Sequence, residues 1–174
     1  MNTLTGLKDL LSKWLIEENF IVTQLDTTTL PRANWGLNVA TPGAPGVKFA
    51  VISPADKPDR VVLVIGIALA PEHRAELEKL KQTERIKVMH SILSRALMVC
   101  NDCKVSVQPS IINPHTITIN LEIFGEEIEA HRKPWFIKQV VKLINTYLTI
   151  VSGFNEWFPV VPQPGKEAPS GLFI

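Results

Sequence analysis

The sequence predicts an α+β fold: a five-stranded antiparallel sheet with helices, in the order α-β-β-β-α-β-β-α. Three observations carry that expectation. Within the run 116–124, residues 116–123 alternate apolar and polar side chains without a break. Residues 35–65 hold three strand-like runs joined by turns rich in Pro and Gly. Residues 4–18, residues 71–99 and the stretch from 134 instead repeat apolar residues at helical spacing.

The first helix spans 4–18, with Leu4, Leu7, Leu11, Trp14 and Leu15 on one side and Lys8, Asp9, Lys13 and Glu17 on the other. Asn19 is a stop signal, and Phe20 to Leu25 gives a short strand signal. Trp35, Leu37 and Val39 then alternate with Gly36, Asn38 and Ala40. After the turn Pro42-Gly43-Ala44-Pro45-Gly46, Val47, Phe49 and Val51 alternate with Lys48 and Ala50. Pro54 to Asp59 makes a second turn, and Val61 to Ile65 opens a third strand that is apolar on both faces. These three strands predict an antiparallel meander.

Pro71 suits the first turn of a helix, and Glu72 suits the positive end of its dipole. One helix over 71–99 would run roughly 45 Å, so a break is expected near Gln82-Thr83, with Thr83 followed by Glu84 capping the second segment. Ile86, Met89, Ile92, Leu93, Ala96 and Leu97 form the predicted apolar face of the second segment. Strands follow at 104–108 and 116–124, the latter turning Ile117, Ile119, Leu121 and Ile123 one way. The last helix is expected to start near Pro134, to bury Ile137, Val140, Val141, Ile144, Leu148 and Val151, and to end at Gly153.

A chain of 174 residues, 45% hydrophobic, with 18 basic and 17 acidic side chains, fits one domain over 1–158 and a Pro-rich tail over 159–174. The balanced charge gives no footprint for nucleic acid. The apolar run from Val61 to Ala70 is far shorter than the roughly 20 residues of a membrane helix. The N-terminus lacks the features of a signal peptide, so a cytoplasmic protein without membrane or nucleic-acid partners is expected.

Ile67-Ala68-Leu69-Ala70-Pro71-Glu72-His73, then Leu77 and Leu80, then Glu84-Arg85, carry a resemblance that the strand 116–124 and its following helix complete. Over residues 4–155 the chain resembles the type III secretion chaperone-like fold, which also covers the YbjN family. The local text is similar to that of an uncharacterised prokaryotic family of this fold. The resemblance implies binding of protein segments or dimerisation, and it brings no catalytic residues.

Candidate chemistry is sparse. Cys100 and Cys103 have CxxC spacing, but the pair falls at a predicted helix C-terminus, where the dipole opposes a thiolate. A zinc site would need two further ligands, and no second CxxC or HxxxH exists. Two cysteines do not make a disulfide framework, so Cys100 reads as core and Cys103 as a strand-edge residue. His131-Arg132-Lys133 could bind an anion before the last helix, although such a cluster is more often solvated surface. His73 reads as solvated, and Glu126, Glu127 and Glu129 as a solvated connection. There is no GxGxxG, P-loop, GxSxG or HExxH. No cofactor, metal or catalytic residue is expected.

The expectation for function is therefore a non-catalytic protein-interaction module, chaperone-like or regulatory, working as a homodimer or with a protein partner. Val62 and Val64 on the second face of the apolar strand, Trp35, and Leu172 and Phe173 at the end of the tail are the candidate contact residues. The alternative is a small-ligand-binding protein or enzyme using His131-Arg132-Lys133 or the Cys100/Cys103 pair.

Overall fold

The computed structural model of the chain describes residues 3–26, 28, 32–43 and 46–159. Its elements are α1 (Thr3–Glu17), β1 (Ile21–Gln24), β2 (Ala33–Ala40), β3 (Lys48–Pro54), β4 (Arg60–Ala68), α2 (Pro71–Lys79), α3 (Gln82–Val99), β5 (Lys104–Pro109), β6 (Pro114–Phe124) and α4 (Gly125–Trp157). The fold is mixed α+β, and its sheet has six strands in the order β1-β2-β3-β4-β6-β5, not the expected five. The added strand is β1. Asn19 adopts φ 63°, a conformation Asn tolerates, and the Phe20 N–H donates to the Leu15 carbonyl at 3.0 Å. The chain thereby leaves α1 directly into pairing with β2, from Ile21↔Ala40 to Gln24↔Leu37.

Among the described residues, one compact unit comprises the chain up to Ile65 together with Asn120–Val141; a second comprises Gly66–Ile119 and the chain from Lys142 on. In the first unit β1 to β4 form an antiparallel meander. Alternation decides which side chains go inside. Val51 and Leu63 pair across β3 and β4 and are fully buried, as are Leu11, Leu15 and Phe136. The Trp14 ring lies 6.0 Å from that of Phe136. On β6 all four of Ile117, Ile119, Leu121 and Ile123 are buried, and Thr116, Thr118, Asn120 and Glu122 are half-buried between them.

In the second unit the helical stretch after Pro71 breaks at Leu80-Lys81, slightly before the expected position. The N-cap of α3 is Lys81 rather than Thr83, and the Glu84 carboxylate, in the third helical position, accepts the Lys81 N–H at 2.9 Å. Arg85 reaches back across the break, donating to the Leu80 carbonyl at 3.0 Å and the Glu78 carbonyl at 2.7 Å. Those are carbonyls that the end of α2 leaves without helical partners. On α3 the buried face is Val88, Met89, Ile92 and Ala96, while Ile86 and Leu97 are exposed.

The last helix departs furthest from expectation. It starts at Gly125, whose N–H donates to the Asp59 carbonyl at 2.8 Å, and Glu127 accepts the Phe124 N–H at 3.0 Å. Glu126, Glu127 and Glu129 are thus helical, the first two in the first turn, where carboxylates suit the dipole. The helix is interrupted at Arg132 (φ 62°, ψ −168°), and Pro134 sits just inside the second segment, where its missing N–H costs no bond. Gly153 does not end the helix. A Cβ there would lie 3.0 Å from Ile92, so the glycine lets α3 and α4 approach closely.

The alternation generates a direct test. Leu63→Ala, at a buried site, should lower the stability to urea by about 3–4 kcal/mol, and Val62→Ala, on the half-exposed face one residue away, by about 1 kcal/mol. Equal costs would show that the two faces of β4 are not distinguished as described.

Candidate functional site

The second face of the meander in the first unit is where the polar and apolar features converge. Cross-strand pairing aligns Gly36, Ile52 and Val62 in one row, and Asn38, Ala50 and Val64 in the next. Ala50, Ile52, Val62 and Val64 are half-buried and form an apolar strip. Leu25 closes one side. Its N–H donates to the Gly36 carbonyl at 3.0 Å, and a Cβ on Gly36 would lie 2.7 Å from its Cδ2, so only glycine admits it.

The two ends of the strip differ in charge. Lys48 stands exposed at the start of β3 on this face, two residues before Ala50. At the opposite end Arg60 donates from Nε and Nη2 to the two carboxylate oxygens of Asp59 and from Nη1 to Glu122, each at 3.0 Å. Its Cζ lies 4.5 Å from the Phe124 ring centroid. These bonds hold the Asp59 carboxyl below its ordinary range and push Arg60 up. Beside this network a cavity of about 350 Å³ is lined by Leu7, Pro58, Asp59, Phe124, Gly125, Glu126 and Glu129. It offers carboxylates but no nucleophile with a neighbouring base. Among the described residues no group of His, Cys, Asp and Glu could hold a metal ion.

Trp35 belongs to the core: it is 6% exposed, on the buried face of β2. Leu172 and Phe173 lie outside the described residues. The basic triplet does not gather. Lys133 is bound to Glu17 at 2.9 Å and Glu18 at 2.8 Å, the His131 ring packs 5.4 Å from that of Trp135, and Arg132 is exposed. The bond from Lys133 lowers the Glu17 carboxyl, and bonds to Glu18 and Glu17 raise Lys133. Arg132 holds a backbone conformation that is nearly reserved for glycine. Arg132→Gly should therefore raise stability by about 1 kcal/mol in urea titrations. A loss of stability would mean that the Arg132 side chain contributes more than its backbone costs.

Cys100 and Cys103 are both buried and joined by a disulfide, which closes the turn between α3 and β5. Counting cysteines alone missed it, because a bridge this local needs no wider framework. Cys103, read as a strand-edge residue, directly precedes β5 and is 6% exposed.

His73 is also relocated, from the surface to the interior of the second unit. It is 2% exposed, stacks on Phe154 with ring centroids 5.9 Å apart, and donates from Nε2 to the Phe158 carbonyl at 3.1 Å. The sequence signal was its spacing of four from buried Leu77. Burial pushes the imidazole below its ordinary value, against the smaller opposing effects of the Phe158 carbonyl and Glu72. Nδ1 is buried without a partner, so a second proton there would have no acceptor. The unfolded chain takes up that proton near pH 6.5 and the folded chain only below it. The His73 contribution to stability is therefore complete above about pH 6.5 and lost as pH falls from there through the folded value. Urea midpoints at pH 7.5 and 5.5 should show a larger acid loss for the wild type than for His73→Gln; equal losses would contradict this.

No helix among the described residues is long and apolar enough to cross a membrane. No curated protein matches the chain. A crystal structure of an uncharacterised protein from Methanothermobacter thermautotrophicus superimposes with a TM-score of 0.75 at 18% sequence identity, covering 87% of this chain and 98% of that one. At that identity the likeness establishes the fold alone. The model of an uncharacterised conserved family, DUF2299, matches residues 7–154. The chain belongs to this family of uncharacterised conserved proteins, DUF2299.

Proposed function

We propose that the chain is a non-catalytic protein-interaction module, chaperone-like or regulatory, that works in the cytoplasm as a homodimer joined through the second face of β3 and β4. The observation that carries this reading is the strip Ala50, Ile52, Val62 and Val64, apolar yet half-exposed. Removing a Val or Ile side chain from water contributes roughly 1.5–3 kcal/mol when complete, so covering the strip is favourable. The resemblance to the type III secretion chaperone-like fold, whose members bind protein segments or dimerise, points the same way.

Charge selects a second copy as the occupant. Lys48 marks one end of the strip, and the carboxylates of Asp59 and Glu122 around Arg60 mark the other. A two-fold axis across the strands sets each Lys48 against the acidic end of the other copy while the apolar residues meet in the middle. Parallel stacking would instead set Lys48 against Lys48. The small-ligand or enzyme alternative has less to recommend it: Lys133 is engaged by Glu17 and Glu18, and both cysteines are bonded and buried.

Light scattering at micromolar concentration should give a dimer. Lys48→Glu, at an exposed site where folding is not at stake, should weaken it about tenfold at low salt, and Val62→Lys should do at least as much. A monomeric wild type, or a dimer indifferent to both substitutions, would refute the proposal.

A further inference from the structure

In the second unit, the start of α2 carries the positive charge of Arg74. Arg74 lies one turn into the helix, its backbone N–H bonded to the Ala70 carbonyl at 3.1 Å. Helical side chains tilt toward the N-terminus, and that of Arg74 runs back to donate from Nη2 to Nε2 of His115 at 3.0 Å. The His115 carbonyl accepts the Leu69 N–H at 2.9 Å, which holds the His115 backbone beside the residue preceding the helix cap. Both side chains are half-buried. Among the described residues no carboxylate pairs with Arg74, and its buried Nε has no hydrogen-bond partner. The cap position itself is Ala70, whose side chain cannot accept from the first-turn amides.

We propose that Arg74 and His115 form a binding site for the oxyanion group, phosphate or carboxylate, of a small ligand. A guanidinium has five N–H donors and keeps its charge at every physiological pH, and only one of these donors is used here. With Nε2 accepting from the guanidinium, the His115 ring proton sits on Nδ1. The ring therefore orients the guanidinium and offers one further donor. The free amides at the start of α2 add partial positive charge on the same side. Glu72, exposed in the same turn, is the opposing charge, and it makes no ion pair with Arg74. An oxyanion would supply the counter-charge and acceptors that the described residues do not. This site is independent of the β3–β4 face, so either proposal can fail alone.

The test uses inorganic phosphate and acetate, each against sodium chloride at matched ionic strength, on the full chain. At a tenfold excess over its dissociation constant, the bound anion should raise the thermal midpoint by about 3–6 °C. Arg74→Gln should abolish the response, Arg74→Lys should weaken it, and Arg95→Gln, which removes an exposed ion pair with Glu156, should leave it intact. A response to phosphate alone assigns a phosphate group, and one to acetate alone assigns a carboxylate. If Arg74→Gln does not fold, the ¹⁵N shifts of the His115 imidazole in the wild type decide: movement to saturation with the anion supports the site. No response to either anion, no movement of those shifts, or an equal response in a folded Arg74→Gln would overturn it.

Discussion

Val51 and Leu63 face each other across β3 and β4 with no solvent reaching either, and this pairing fixes the register on which the first unit is built. Shifting one strand by a single residue would put Val62 or Ile52 inside and Leu63 or Val51 outside. From Val61 to Ile65 β4 is apolar on both faces, so within the strand only Arg60 at its start marks the outward face. The neighbouring strand adds a second marker, since Lys48 can only face out. The same choice leaves Ala50, Ile52, Val62 and Val64 together on the other face. The half-exposed apolar strip is thus a by-product of how the core is specified.

Several charged side chains in each unit are spent on one another. Arg60 satisfies Asp59 and Glu122, Lys133 satisfies Glu17 and Glu18, Lys142 reaches Asp102, and Arg95 reaches Glu156. Such exposed or half-exposed pairs contribute little to stability individually. Their larger consequence is chemical: groups held this way are not available to act on a substrate. Arg74 differs because its hydrogen-bond partner is an imidazole ring.

The strands were legible from the sequence because a period of two leaves few alternatives. Ile117, Ile119, Leu121 and Ile123 are buried as their alternation requires. The short β1 was harder, since four residues show little periodicity and the strand exists by pairing with β2. The helices α3 and α4 misled because each has more apolar residues than it can bury. On α4 the sequence offers two adjacent stripes. One runs through Ile137, Val141, Ile144 and Leu148, and the other through Phe136, Val140, Leu143, Tyr147, Ile150 and Phe154. The second is buried, while Val141 and Leu148 are exposed. It contains the aromatics, which have more surface to remove from water. Of the candidate contact residues, Val62 and Val64 could be read from the strand pattern, whereas Trp35 could not be told from core. The Arg74–His115 contact joins residues 41 apart, and no local pattern announces it.

The interruption at Arg132 also acts as a phase reset. Extending the buried stripe of α4 backwards at helical spacing would carry it onto Lys133 or Arg132 and then Glu129, all charged, and would leave Ile128 off the stripe. A single non-helical residue breaks that progression, so Ile128 is fully buried before it and Phe136 after it, while Arg132 and Glu129 remain exposed. The two segments therefore carry independent angular registers. An insertion or deletion in residues 125–131 need not rotate the aromatic stripe that follows.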